Sequence, residues 1–129
     1  MEVKERVTKY KAQSIHYLEN ASIAIEARNV EKAGEFLWGS MAEALKAVAA
    51  SEGRELKRHW DIGAYARELA RQLEEEAIWD VFGNASYLHT NFYEVGLTIE
   101  EVYAYADRIK TIVGRLLSLI REEEATKEN

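Results

Sequence analysis

The sequence contains no cysteine and no proline, and only seven of its 129 residues are glycine. Without cysteine, the chain can form neither a disulfide nor a zinc–thiolate site, and it lacks a cysteine nucleophile. The absence of proline removes the strongest helix breaker and therefore favours long, uninterrupted helices. A cysteine-free composition also fits a reducing compartment, so we predict a cytoplasmic protein.

Long apolar runs and an excess of positive charge are missing as well. No stretch approaches the roughly 18 consecutive apolar residues of a membrane span, and the N-terminus has no apolar signal core, so we expect no membrane segment. The formal net charge of −6 argues against broad electrostatic capture of nucleic acid, but it leaves room for a local basic cleft.

The sequence has the composition of one folded domain. Apolar residues make up 47% of it, which is enough for a hydrophobic core. No internal repeat or linker interrupts it, so we predict a single domain over residues 1–129, with a charged tail, 121–129, that frays.

Apolar residues recur at steps of three and four along most of the chain, which is typical of amphipathic helices. The pattern predicts an all-α domain of about five helices. We place these helices at about 3–28, 30–51, 60–73, 77–92 and 99–123. Asn29 is a candidate N-cap for the second helix, Gly53 a candidate C-terminal residue after it, and Thr98 with Glu101 a capping box before the fifth.

The second helix is predicted to be the central one because of the segment 37–50. Its large side chains, Trp38, Met41, Leu45 and Val48, share one helix face. Seven of its ten other positions are glycine, serine or alanine, and such small residues let neighbouring helices approach closely.

The fifth helix carries two apolar stripes. The second stripe consists of Tyr105, Ile112 and Leu119, and it makes the apolar face wider than one core contact requires. This extra width predicts either two covering neighbours within the chain or a subunit interface.

The histidines do not have the spacing of a di-iron bundle, which would need Glu-x-x-His pairs. The residues three positions before His16, His59 and His89 are Gln13, Leu56 and Ser86. We therefore predict no metal site and no cofactor.

Arg54 and His59 have the spacing Arg-x-x-x-x-His within a basic link. An arginine can neutralise a phosphate while a histidine moves a proton, which together suffice for metal-independent RNA cleavage. The alternative is structural: Arg54, Lys57 and Arg58 interact with the carbonyl end of the second helix.

A second polar cluster lies at the predicted end of the fourth helix. His89, Asn91, Tyr93 and Glu94 converge there and, with Arg58, are our candidate ligand-binding residues. The alternative is that Asn91 and Glu94 merely finish the helix.

The three tryptophans are expected in the core rather than as stacking platforms for bases. Trp38 and Trp79 have no basic residues interleaved with them, as such a platform would need. Trp60 is the exception, because it directly follows the basic link.

The segment from Leu37 to Val48, the link with His59 and Asp61, and the run Leu-His-Thr-Asn-Phe-Tyr-Glu at 88–94 together resemble an archaeal PaREP-type family of small helical proteins. The resemblance covers about residues 30–118, and the family is grouped with the HEPN (higher eukaryote and prokaryote nucleotide-binding) superfamily. It implies an up-and-down helical bundle that commonly forms a homodimer. Many HEPN domains are metal-independent ribonucleases with an Arg-x(4–6)-His motif, and others bind nucleotides or partners without catalysis.

Three functions follow as hypotheses. The first is a dimerising HEPN-like domain that binds a nucleotide, RNA or a protein partner encoded nearby, without strong catalysis. Its site would be a polar groove near His59, His89, Asn91, Tyr93 and Glu94. The second is a toxin-like ribonuclease that uses Arg54 and His59. The third is a structural adaptor with the broad face of the fifth helix as its interface.

Overall fold

The computed structural model describes residues 2–90 and 96–120, which form five α-helices and no strand. The helices are α1 (Val3–Glu26), α2 (Val30–Ser51), α3 (His59–Leu73), α4 (Glu76–Thr90) and α5 (Ile99–Ser118). The predicted all-α, up-and-down bundle is confirmed. The predicted ends of the fourth and fifth helices and the tail 121–129 lie outside the described residues.

Local capping chemistry sets the helix boundaries where the sequence predicted it. Asn29 Oδ1 accepts a hydrogen bond from the Lys32 amide at 3.1 Å, and this bond caps α2. At the start of α5, Thr98 Oγ1 accepts from the Glu101 amide, and Glu101 Oε1 accepts from the Thr98 amide, both at 3.1 Å. Gly53 follows α2 with a φ of +77°, a conformation that favours glycine.

Helix α2 lies at the centre of the bundle and packs against all four other helices. Fourteen of its 22 residues are buried. One of them is Glu43, whose carboxylate lies 3.1 Å from the Lys46 ammonium, so the buried charge has a partner. The central position predicted for this helix is confirmed.

A reciprocal serine pair joins α1 to α2. Ser14 Oγ donates to the Ser40 carbonyl at 2.8 Å, and Ser40 Oγ donates to the Ser14 carbonyl at 2.9 Å. Both residues are fully buried. Because each small hydroxyl reaches the opposite backbone, the pair sets the register of two closely packed helices.

Gly34 allows the end of α4 to approach α2. A Cβ at this position would lie 3.3 Å from the carbonyl oxygen of Leu88, which is backbone that cannot rotate away. Glycine therefore permits this approach without a shift of the α4 backbone, and the residue after Leu88, His89, lies close to the central helix.

The second apolar stripe of α5 is largely covered within the chain. Ile112 is buried, Tyr105 and Leu119 are half-buried, and the ring of Tyr105 lies 6.1 Å from that of Tyr87. Of the two alternatives for this stripe, the structure thus favours neighbours inside the chain. None of the described helices is both long and apolar enough to cross a bilayer.

The serine pair makes a testable contribution to stability. Ser14→Ala and Ser40→Ala should each lower the free energy of unfolding by about 1–2 kcal/mol, because each removes a buried hydrogen bond. The double variant should cost less than the sum, since the two hydroxyls also lie 3.2 Å apart. Urea unfolding measures all three values. Ser22→Ala, which removes an exposed hydroxyl, is the control, and an equal loss there would contradict the assignment.

Candidate functional site

Three aromatic rings from three helices meet at one place on the bundle. The ring centroid of Trp38 lies 4.8 Å from that of His59 and 5.3 Å from that of His89, with interplanar angles of 27° and 18°. The two imidazole centroids are 5.9 Å apart. We call Trp38, His59 and His89 the histidine cluster.

The two imidazoles lie side by side over one face of the indole. If they lay on opposite faces, their separation would approach the sum of their distances from Trp38, whereas it is little more than either distance. The indole is 9% exposed, and both histidines are exposed. The imidazoles therefore cover a buried aromatic ring and present two titratable groups to solvent.

The antiparallel pairing of α3 and α4 creates this arrangement. His59 is the first residue of α3 and His89 lies in the last turn of α4, so the two ends meet over α2. Trp38 lies in the first half of α2, and the Phe82 ring packs against its indole with centroids 5.5 Å apart and an interplanar angle of 62°.

Aromatic contacts continue from the cluster along α4. Trp79 stacks on Phe82 at 5.7 Å, and the guanidinium of Arg67 lies 6.0 Å from the Trp79 ring. Trp79 is 39% exposed, so the prediction of a core position for it is wrong. Trp79 directly follows the buried Ile78, so the two side chains point about 100° apart around the helix axis. Trp79 therefore lies at the boundary of the core rather than inside it.

A cation and a second exposed tryptophan adjoin His59. The Arg58 guanidinium lies 4.7 Å from the ring of Trp60, which is 62% exposed. It also lies 3.6 Å from the Asp61 carboxylate, which in turn accepts from the Arg58 amide at 3.0 Å. These contacts fix Arg58 and Trp60, the chain neighbours of His59, at the start of α3, where both side chains stay accessible.

Arg54 belongs to a different set of contacts. Its guanidinium pairs with the Glu68 carboxylate, which raises the arginine pKa, and lies 4.8 Å from the Tyr65 ring. The Tyr65 hydroxyl donates to Glu52 Oε1 at 2.5 Å, and burial, together with this bond, raises the pKa of the phenol above its ordinary value. These contacts tie the link after α2 to the face of α3.

The interpretation that Arg54 and Arg58 bind the carbonyl end of α2 is therefore wrong for their side chains. Each guanidinium has a carboxylate and an aromatic ring of α3 as its partners. Only the backbone amide of Arg54 reaches a carbonyl of α2, that of Ala49, at 2.9 Å. The charged side chains prefer full carboxylates to the partial charge of a helix end.

The structure thus brings His59 and His89 together, and Arg58 directly precedes His59 in the chain. Within the described part of the chain, no hydrogen bond or ring contact joins Arg54 to His59. Asn91, Tyr93 and Glu94 lie outside the described residues. No group of three or more acidic or histidine side chains among the described residues could hold a metal ion.

Sequence reasoning missed two features of this surface. Trp38 was expected in the core but not beneath the histidines, and Phe82, Trp79 and Arg67 were not expected to extend the aromatic contacts. One signal of the extended aromatic contacts is available in the sequence. Trp79, Phe82, Ser86 and His89 are spaced by three and four residues and therefore share one flank of α4.

The cluster predicts coupled effects on stability. His59→Ala and His89→Ala should each lower the free energy of unfolding by about 0.5–1.5 kcal/mol, because each removes a ring stacked on Trp38. The two losses should not add, since the imidazoles also contact each other. Urea unfolding followed by near-UV circular dichroism measures them. His16→Ala, an exposed histidine on α1, should change stability by less than about 0.5 kcal/mol; strict additivity of the first two would contradict the cluster.

Comparison with known proteins places the chain among archaeal proteins. The model of the archaeal PaREP1/PaREP8 family matches residues 9–113. The crystal structure of a protein from Sulfolobus solfataricus is similar in fold, with a TM-score of 0.73 and 18% sequence identity, covering 84% of this chain and 97% of that one. No curated protein matches the chain. Because the family model spans most of its length, this chain belongs to the archaeal PaREP1/PaREP8 family.

Proposed function

We propose that this protein is a HEPN-like domain that binds the base of a nucleotide or of single-stranded RNA at the histidine cluster, without strong catalysis. One observation carries the proposal: two exposed imidazoles lie side by side over the same face of a buried indole. Ordinary surface histidines have no such rigid support, whereas a base-stacking site needs one.

Stacking and hydrogen bonding both suit this surface to a nucleobase. Bases stack on histidine and tryptophan rings, and single-stranded RNA exposes base edges to which imidazole nitrogens can bond. Trp60 and Trp79 offer two further exposed rings near the cluster. The Arg58 side chain is 68% exposed, and its guanidinium lies 3.6 Å from the Asp61 carboxylate, a longer and looser pairing than that of Arg54 with Glu68, so it is available to contact a phosphate.

The charge of the protein limits how such binding can work. With a net charge of −6, the chain as a whole would repel a polyanion, and Lys57 and Arg58 are the cations directly before His59. We therefore expect only one or two phosphate contacts, so the logarithm of the binding constant should fall with the logarithm of salt concentration with a slope of about −0.7 to −1.4.

The contacts of Arg54 favour binding over cleavage. A ribonuclease that used Arg54 and His59 would need the guanidinium free to neutralise the phosphate at the reacting bond. Here the guanidinium pairs with Glu68 and stacks on Tyr65, while His59 stacks on Trp38. Cleavage would first have to break that ion pair, so the ribonuclease is the second candidate.

The proposal includes a homodimer in which two histidine clusters share one cleft, in a cytoplasmic setting. Exposed Trp60 and Trp79 support it, because large exposed aromatic side chains are enriched at protein interfaces. A shared cleft would also bring two Arg58 side chains to one ligand and double the positive charge available.

Fluorescence anisotropy with a 5′-labelled oligoadenylate of about eight nucleotides tests the proposal. The wild-type protein should bind the single strand and bind a duplex of the same length less tightly. His59→Ala and His89→Ala should each weaken binding about tenfold, because one stacked base contributes about 1–3 kcal/mol. His16→Ala is the matched control and should bind like the wild type.

The same samples separate the alternatives. The labelled RNA should stay intact in the presence of EDTA, and light scattering should give the mass of a dimer. Equal binding by all three histidine variants would contradict the proposal. Metal-independent cutting that is lost in both Arg54→Ala and His59→Ala would instead favour the ribonuclease.

A further inference from the structure

A groove separates α1 from α5 on the side of the bundle away from the helix pair α3 and α4. Its volume is about 510 Å³. Apolar side chains form most of it, namely Ile15, Leu18 and Ile25 from α1, Leu37 from α2, and Tyr103 and Ala106 from α5.

The groove exists because α1 packs extensively on α2 but only slightly on α5. No backbone of a described helix therefore packs directly over α2 at Leu37. Leu37 lines the groove, and side chains of the groove walls shield it from solvent. Ile15 and Tyr103 are 42% and 66% exposed at its mouth. Exposed apolar side chains that line one concave surface are typical of interaction sites.

The rim of the groove is acidic. Glu19, Glu26 and Asp107 line it together with a single cation, Lys110. Among the residues that the structure describes, Glu26 and Asp107 form no ion pair, and the Glu19 carboxylate lies 3.9 Å from Nδ1 of His16. Two carboxylates at the edge of an apolar groove are thus available to a basic partner.

We propose that this groove binds an amphipathic helix of another protein, with an apolar stripe in the groove and lysine or arginine on its flanks. The helix would fill the space between α1 and α5 and complete the outer layer around α2. Its flanking cations would neutralise Glu26 and Asp107.

The walls of the groove favour a helical partner over an extended one. Both walls are α-helices whose backbone groups are already bonded, so an extended segment would find no open sheet edge to join. The lining of α1 runs from Ile15 to Glu26, about 16 Å at the helical rise, which matches about three turns of a partner helix.

Charge argues against a second copy of this chain as the occupant. A two-fold contact through the groove would place Glu19, Glu26 and Asp107 of both copies against each other, and like charges at an interface are unfavourable. The tail 121–129 is no better matched in charge, because it contains four glutamates and two basic residues.

Two synthetic peptides of about 18 residues test the proposal. Both carry leucine at the i, i+3, i+4 and i+7 positions of one helix face, and their flanks carry lysine in one peptide and glutamate in the other. Calorimetry on the full chain should show binding of the lysine peptide at least tenfold tighter than binding of the glutamate peptide. The difference should shrink at high salt, since the flanking charges are exposed.

Matched variants locate the binding. Ile15→Lys, at the groove mouth, should weaken binding of the lysine peptide about tenfold. Ile23→Lys, which makes the same charge change at an exposed isoleucine of α1 outside the groove, should leave it within about twofold. Both positions are exposed, so both variants should fold.

Three results would overturn the proposal. One is an equal loss of binding in the two variants, and another is no binding of either peptide. The third is a dimer that Ile15→Lys dissociates, which would make a second copy the occupant.

Discussion

The bundle depends on the small side chains of α2. Ala44, Ala47 and Ala49 are completely buried, and their small side chains let neighbouring helices approach α2 closely from several sides. A protein interior is packed as closely as an organic crystal, so a larger side chain at these positions would push a neighbour away. A small residue is likewise favoured at Gly34, where α2 contacts the backbone at the end of α4.

The candidate site is a consequence of that packing. Trp38 is the largest side chain on α2, and it lies where α3 begins and α4 ends. Two histidines from those helix ends can therefore cover it and remain exposed. The surface ion pairs near the site contribute little energy by comparison, because exposed pairs are worth about 0–1 kcal/mol. Ring stacking and burial hold the histidine cluster together.

Local signals explain what could be predicted from the sequence. The helices follow from apolar periodicity and from the caps at Asn29 and Thr98, and the central role of α2 follows from its run of small residues. Contacts between distant residues could not be read in this way. Glu68 pairs with Arg54 across fourteen residues, a separation that no helical spacing rule covers. For the exposed Trp79, the spacing with Phe82 on one flank of α4 is the only local signal. The first hypothesis expects His59 near His89, and the two rings do approach each other, but the indole of Trp38 beneath them follows only from how α3 and α4 pair over α2.

Native-state hydrogen exchange tests the central position of α2 most directly. If small-residue packing holds all four neighbours to this helix, the amides of residues 42–50 should exchange only when the whole protein unfolds, with a free energy equal to that of global unfolding. The amides near the start of α1 should exchange at lower free energy. Exchange of residues 42–50 by local opening, well below the global value, would contradict this structural interpretation.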